Sequence, residues 1–273
     1  MINSILVPTD YSEASDTAIE HAAVMGNKTG AKIVLVNLCS SESEIVSAKE
    51  KLLLHSKKIN YNIVVETTVR VGSYTDIPLI GKELSVDIMF LGSHGVHGVQ
   101  KIFGSHSLEI VTDSEIPFII VQKDSPIPSG YNKLLVTTRF HFENKQKIQV
   151  VGMIAKYFNS QVYILYNNVD PYMKAKSLNN VQFMQKHLDN IGVNYFVEKS
   201  TNENYNADTI ALGVKINADL IAIMNMQKDD ILGSGLLGNK YEEELIMNTA
   251  KIPILILNPN ISNKFETTSA GFH

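Results

Sequence analysis

Residues 4–10 read Ser-Ile-Leu-Val-Pro-Thr-Asp, and residues 133–139 read Lys-Leu-Leu-Val-Thr-Thr-Arg. The echo recurs downstream. Val-Asp-Ile-Met-Phe-Leu-Gly at 86–92 matches Ala-Asp-Leu-Ile-Ala-Ile-Met-Asn at 218–225, and Ile-Pro-Phe-Ile-Ile-Val at 116–121 matches Ile-Pro-Ile-Leu-Ile-Leu at 252–257. The offset stays near 130 residues. Solenoid repeats run at roughly 20–50 residues, so this period is too long for one. It is the size of a domain, and the chain reads as one domain written twice. A stretch carrying Pro, Gly and Ser, Lys123 to Gly130, separates the copies. The expected organisation is an N-terminal domain over 1–123, a C-terminal domain over 131–259 and a loose polar tail over 260–273.

Within the first copy, strand and helix patterns alternate. Ile5–Pro8 is a short apolar run. The spacing of Ala14, Ala18, His21, Ala22 and Met25 predicts a helix over 12–27, with Ser12 as its N-cap and Gly30 closing it. Further strands are expected over 32–38, 63–71, 88–91 and 118–121. Helices are expected over 43–58, 76–84 and around 105–112. Asn27 and the asparagine-rich 202–206 stretch read as loops. Continuous β-branched runs between helices point to parallel sheets covered on both faces. The fold class is therefore α/β, with two tandem doubly wound domains, each built on a mainly parallel five-stranded sheet. Ligands of such sheets bind beyond the carboxyl ends of the strands, where the strand order reverses. That rule singles out Thr9-Asp10, Leu38-Cys39 and the loop opening at Gly92.

Composition excludes several classes. The chain has 273 residues, 44% of them apolar and 19% charged, which is ample for a buried core and unlike a disordered chain. With 24 basic against 28 acidic residues the net charge is −4, so the basic excess of a non-specific nucleic-acid binder is missing. No apolar run reaches the roughly 18 residues of a membrane span. The first strand pattern starts without a basic and apolar leader, so the expected location is the cytoplasm. A lone cysteine, Cys39, rules out an internal disulfide and a cysteine-rich zinc site. At the end of a strand it reads as a small buried or rim residue.

The chemistry concentrates after the fourth strand pattern. Gly92-Ser93-His94-Gly95-Val96-His97-Gly98 leads through Gln100-Lys101-Ile102-Phe103 to Gly104-Ser105, and a helix is expected next. Glycines let the backbone approach a ligand closely, and exposed amides before a helix start attract anions. The loop is neither GxxxxGK[ST] nor GxGxxG. It reads equally as a phosphate cradle and as a flexible turn. Asp10 has two readings as well: an acceptor for ribose hydroxyls, or a carboxylate favoured by the dipole of the next helix. His94, His97 and His106 crowd the loop, but no acidic or cysteine residue completes a metal set, and no metal site is assigned.

Together, Ile5 to Glu13, the Gly72 turn, Asp87 to Gly95, Gly104-Ser105 and Ile116 to Val121 resemble the universal stress protein family, and the whole resembles a tandem member of it. The resemblance implies the adenine nucleotide alpha hydrolase-like fold and a site for ATP, ADP or AMP, with Mg²⁺ beside a triphosphate. It implies that Asp10, with Pro8 and Thr9 around it, holds the ribose. The backbone near Leu38 would read adenine. Gly92, His94 and Gly95 would line the ribose and phosphates, and Gly104, Ser105, His106 and Ser107 would hold the phosphates. One departure stands out. The ATP-binding branch has nine residues before its Gly-[Ser/Thr] pair, and here Val96 to Phe103 supplies eight.

The second copy has lost these residues. Asp10 corresponds to Arg139, Gly92 to Asn225 and Gly95 to Lys228, while Gly238-Asn239 keeps a glycine without the hydroxyl. This half reads as a degenerate, nucleotide-free copy. Arg139 would pair with Asp229 or Asp230, or join Lys228 in binding another anion. No nucleophile-elbow, HExxH or Ser-x-x-Lys pattern appears at the strand ends, so at most slow ATP hydrolysis is expected.

The expected function is a nucleotide-binding stress-response sensor or regulator. The alternative is an interaction module with vestigial pockets in both halves. The short last strands, 118–121 and 254–257, are expected to pair the two halves into an intramolecular pseudo-dimer, with a homodimer as a further partner state. Neither nucleic acid nor membrane is expected as a partner.

Overall fold

The computed structural model describes residues 1–93, 114–168, 171–226 and 238–259. The chain divides into two compact units, one over Ile2–Ser129 and one from Gly130 onward.

In the first unit the strands are β1 (Ser4–Pro8), β2 (Lys32–Cys39), β3 (Val65–Val71), β4 (Ile88–Ser93) and β5 (Phe118–Gln122). The helices are α1 (Glu13–Thr29), α2 (Ile45–Ser56) and α3 (Ile77–Glu83). The sheet order is β3-β2-β1-β4-β5, and every pair is parallel. The order reverses at β1. The chain steps outward through β2 to β3, then returns to β4 on the other side of β1. Right-handed crossovers therefore place α1 and α2 on one face of the sheet and α3 on the other.

Burial follows the sheet order. All five residues of β1 and of β5 are buried. On the outer strand β3 only Val69 is buried. The β1 run thus forms the middle of the core, as its unbroken apolar character requires.

Local chemistry sets the α1 boundaries. Ser12 is extended and its hydroxyl accepts the Ser15 amide at 3.3 Å, satisfying one of the donors that a helix start leaves open. Gly30, at φ 77°, takes the left-handed turn that ends the helix. Asn27 lies within α1, not in a loop; α1 runs on to Thr29, just before that glycine. The expected strand over 63–71 begins at Val65, and the expected helix over 43–58 splits into a 3₁₀ turn at Glu42–Glu44 and α2. The expected helix around 105–112 lies outside the described residues.

The second unit repeats this plan. Its strands are β6 (Lys133–Thr138), β7 (Gln161–Asn167), β8 (Tyr195–Ser200), β9 (Leu220–Met224) and β10 (Ile254–Leu257). Its helices are α4 (Ile148–Phe158), α5 (Pro171–Asn190), α6 (Tyr205–Ile216) and α7 (Gly238–Ile246). The order is β10-β9-β6-β7-β8, again all parallel. The stretch 202–206 is only partly a loop. Asn204 caps α6 by accepting the Ala207 amide at 3.1 Å, and Tyr205 and Asn206 are helical and buried.

One aspartate in each unit pins two strand starts together. Asp87 Oδ2 accepts the amides of Asn3 and Ser4 at 2.8 and 3.2 Å. Asp219 Oδ2 accepts those of Asn132 and Lys133 at 2.8 and 2.9 Å. The duplication seen in the letters is thus also a duplication of hydrogen bonds. Among the described residues no helix is long and apolar enough to cross a membrane.

Candidate functional site

The reversal of strand order puts the carboxyl ends of β1 and β4 side by side. Pro8 and Thr9 are buried at the end of β1, and Asp10 is half-buried just beyond them. The Thr9 amide donates to Val36 O at 2.8 Å, and Asn37 Nδ2 donates to Thr9 O at 2.8 Å. β2 thus fixes the backbone immediately before Asp10.

Asp10 Oδ1 accepts the Ser12 amide at 3.0 Å. Burial pushes its carboxyl up, but hydrogen bonds from the Ser12 hydroxyl and amide, the Ser15 hydroxyl and its own amide outweigh this. The net effect holds the group below the ordinary carboxylate value. Asp10 is therefore an ionised acceptor anchored to the start of α1. Both readings of this residue are compatible with that geometry, and the helix-start role is directly visible.

Tyr11 follows with φ 67°, a left-handed backbone that a bulky residue rarely adopts. α2 holds it there. The His55 ring stands edge-on to Tyr11 with centroids 5.2 Å apart, and Lys51 Nζ lies 3.8 Å from the Tyr11 ring centroid. His55 Nε2 in turn meets Asp16 Oδ1 of α1 at 2.8 Å. This clamp fixes the direction of Asp10.

Two further strand ends border Asp10. Leu38 is half-buried near the end of β2, beside Cys39, which is buried. The Cys39 thiol points to the carbonyls of Ser41 and Arg70 at 3.4 and 3.5 Å, so it is a packed residue of the rim. Tyr74, in the turn after β3, lies close enough to Asp10 to feel its charge. Burial first, and then the Asp10 carboxylate, raise its phenol pKa. Apart from the Gly72 turn preceding it, nothing in the letters marks Tyr74.

Gly92 has a structural reason of its own. A Cβ there would lie 2.3 Å from Ala14 O and 2.7 Å from Ser15 N. The glycine lets the first turn of α1 rest directly on the end of β4. The ligand-lining role expected for Gly92 is thus joined by a packing role that alone accounts for the residue. His94, Gly95, Gly104, Ser105, His106 and Ser107 lie outside the described residues, as do His97 and Lys228.

The corresponding corner of the second unit is built differently. Arg139 replaces Asp10, and α4 starts only at Ile148, after a 3₁₀ turn over Phe142–Lys145. Asn180 Nδ2 donates to the carbonyls of Arg139 and His141, both at 2.7 Å, tying that turn to α5. The Arg139 guanidinium lies 5.2 Å from the Tyr205 ring centroid. The Tyr205 hydroxyl donates to Leu165 O at 2.5 Å and accepts the Thr138 amide at 3.1 Å. Asn225, which replaces Gly92, is buried; its Nδ2 donates to Asn258 Oδ1 at 2.9 Å. Asp229 and Asp230, the expected partners of Arg139, lie outside the described residues. Sequence reasoning missed Lys147, which is fully buried here.

Among the described residues no group of three His, Cys, Asp or Glu side chains could hold a metal ion. For a nucleotide, the described residues fit the sugar end. Asp10 presents an ionised, half-buried acceptor at the reversal point, and Leu38 lies near the end of the neighbouring strand β2.

An open parallel α/β unit with an anchored acidic residue at its strand-order reversal is a doubly wound domain of the kind that binds ligands at that point. Residues 1–122 match the model of the Universal stress protein family, so the N-terminal half belongs to that family. Universal stress protein G of Salmonella typhimurium is 27% identical over 142 residues, covering 45% of this chain and 100% of the relative. A universal stress protein structure from Archaeoglobus fulgidus superposes with a TM-score of 0.74 at 20% identity, covering 95% of this chain and 100% of the other. A functionally unknown protein from Pseudomonas aeruginosa gives 0.66 at 14% identity, covering 99% and 98%. The universal stress protein fold therefore extends over both halves.

Proposed function

We propose that this chain is a tandem universal stress protein whose N-terminal half binds an adenine nucleotide, with Mg²⁺ accompanying a triphosphate, and acts as a cytoplasmic sensor or regulator. One observation carries the reading. Asp10 stands ionised and half-buried at the reversal of strand order, held by Ser12, with Leu38 near the end of the neighbouring strand β2 and Tyr74 close enough to feel its charge. A carboxylate so placed accepts hydrogen bonds from the two hydroxyls of a ribose. The base would lie toward the end of β2, and the phosphates toward the glycine loop that follows β4. The degenerate C-terminal half lacks the carboxylate and takes no nucleotide.

Titration calorimetry of the whole chain with ATP, ADP and AMP tests this reading. The expected result is saturable heat for the wild type and weaker binding by about tenfold or more for Asp10→Ala, the loss of charge-assisted hydrogen bonds. No heat with any of the three nucleotides overturns it.

A second reading is favoured by a specific observation. Asp10 and Gly92 both have structural duties, one to the start of α1 and one to Ala14. An interaction module with a vestigial pocket would retain both. Absence of nucleotide binding together with pull-down of a defined protein by the folded chain supports that reading.

A further inference from the structure

One stripe of α1 holds the chain that leaves the first unit. Glu13, Thr17 and His21 follow at four-residue spacing, so they lie along one face of the helix. Glu13 pairs with the Lys123 ammonium. The Thr17 hydroxyl donates to Lys123 O at 2.6 Å and faces Glu13 O at 2.8 Å. His21 hydrogen-bonds the backbone of Ser125 and Pro126. These residues follow β5 and open the stretch that leads to the second unit at Gly130.

The stretch is seated by bonds of its own as well. The Lys123 amide donates to Ser93 O at 2.7 Å and the Ser125 amide to Gln122 O at 2.9 Å. The Gln122 amide donates to Ser125 Oγ at 3.1 Å. Ser125 is buried, while Lys123, Asp124, Pro126 and Ile127 around it are exposed. The Glu13–Lys123 pair is solvent-exposed and worth little, so the Thr17 hydroxyl and the buried Ser125 supply most of the hold.

Lys123 also meets the two residues that adjoin the candidate site in the chain. Glu13 follows Ser12, whose amide binds Asp10 Oδ1 at 3.0 Å. Ser93 follows Gly92, on which Ala14 rests. The strap and the site thus share the first turn of α1 and the end of β4. Ordering that shared turn costs conformational entropy. Whichever event comes first, seating of the strap or filling of the site, removes that cost for the other.

We infer that residues 123–126 form a strap, seated on Glu13, Thr17 and His21, that reads the state of the Asp10 corner. A ligand at Asp10 seats the strap more firmly, and a seated strap favours the ligand. The ligand half of this statement rests on the nucleotide reading above, whereas the coupling of Asp10 to the strap does not. Occupancy of the site is in this way reported where the chain leaves the first unit.

Hydrogen exchange of the whole chain tests it, read at the amides of Lys123 and Ser125 against those of β2, which report opening of the unit as a whole. Thr17→Val keeps the side-chain shape and is expected to speed exchange of both strap amides about fivefold relative to β2, the loss of one hydrogen bond. Asp10→Ala without ligand is expected to speed them at least about twofold, the low end of measured coupling energies. Saturating AMP, ADP or ATP is expected to slow them in the wild type. Calorimetry of Thr17→Val is expected to show weaker binding of the same nucleotide, by up to the same factor. If no nucleotide gives heat and Asp10→Ala still loosens the strap selectively, the nucleotide reading fails and the coupling stands. The inference is overturned if Asp10→Ala leaves the strap amides unchanged relative to β2, if a nucleotide that binds leaves them unchanged, or if Thr17→Val speeds exchange there no more than in β2.

Discussion

Gly92 rests on Ala14 so closely that a methyl group on the glycine would lie 2.3 Å from the Ala14 carbonyl oxygen. Backbone atoms cannot yield as the tip of a flexible side chain does. Gly92→Ala is therefore expected to push α1 off the end of β4 and to destabilise the chain by about 1–3 kcal/mol, the usual range for overpacking. A lowered midpoint in thermal or urea unfolding of the apo protein checks this. An unchanged midpoint would mean that α1 shifts without strain.

The two aspartates at the strand starts should behave alike. Asp87 and Asp219 each accept two backbone amides from the start of the neighbouring strand. Replacing either with alanine leaves two amides without their acceptor, at an expected cost of about 1–3 kcal/mol. Asparagine at the same position keeps one oxygen and should recover part of the loss. Hydrogen exchange at Ser4 in one variant and Lys133 in the other reads the effect locally.

His21 makes the protein sensitive to acid. Its ring is buried in α1, and burial drops its pKa to about 4; backbone carbonyls of Ser125 and Pro126 oppose that shift only in part. The unfolded chain takes up the proton near pH 6.5 and the folded chain does not until near pH 4. Stability is therefore lost as pH falls through this window, by about 3 kcal/mol from this residue. A pH series of urea midpoints on wild type and His21→Met checks it. A wild-type slope no steeper than that of the variant would contradict the assignment.

Tyr205 serves a polar role inside the second unit. Its hydroxyl supplies the acceptor for the Thr138 amide and donates to Leu165 O. Tyr205→Phe keeps the ring under Arg139 but strands a buried amide, for an expected loss of about 1–3 kcal/mol. Equilibrium denaturation measures it, and a neutral result would show that water reaches Thr138.

Much of this architecture was legible in the letters. Apolar runs such as Ile5 to Val7 and Phe118 to Val121 have no reason to persist unless both faces of a strand are covered. Ser12 and Gly30 announced the limits of α1 through local hydrogen bonding and backbone freedom. Other features depend on partners distant in sequence. The 202–206 stretch reads as polar loop, yet Tyr205 faces the core because the ends of β6 and β7 need its hydroxyl. Nothing in the letters around Lys147 marks its burial, which depends on its contact with Asn144 of the 3₁₀ turn. Asp10 was visible as a candidate, but its bond to Ser12 and its nearness to Tyr74 belong to the folded chain. Gly92 was read through a ligand, when its nearest neighbour is the protein's own helix.

The central position of β1 bears on how the protein emerges during synthesis. Ser4 pairs with Lys32, which follows soon after, but Ile5 pairs on its other side with Ile88. At the usual pace of translation that second flank arrives roughly 5–15 seconds later. Until then a strand whose five residues are all buried in the folded unit is covered on one flank only. The sheet around β1 can therefore be completed only once the residues around Asp87 have been made.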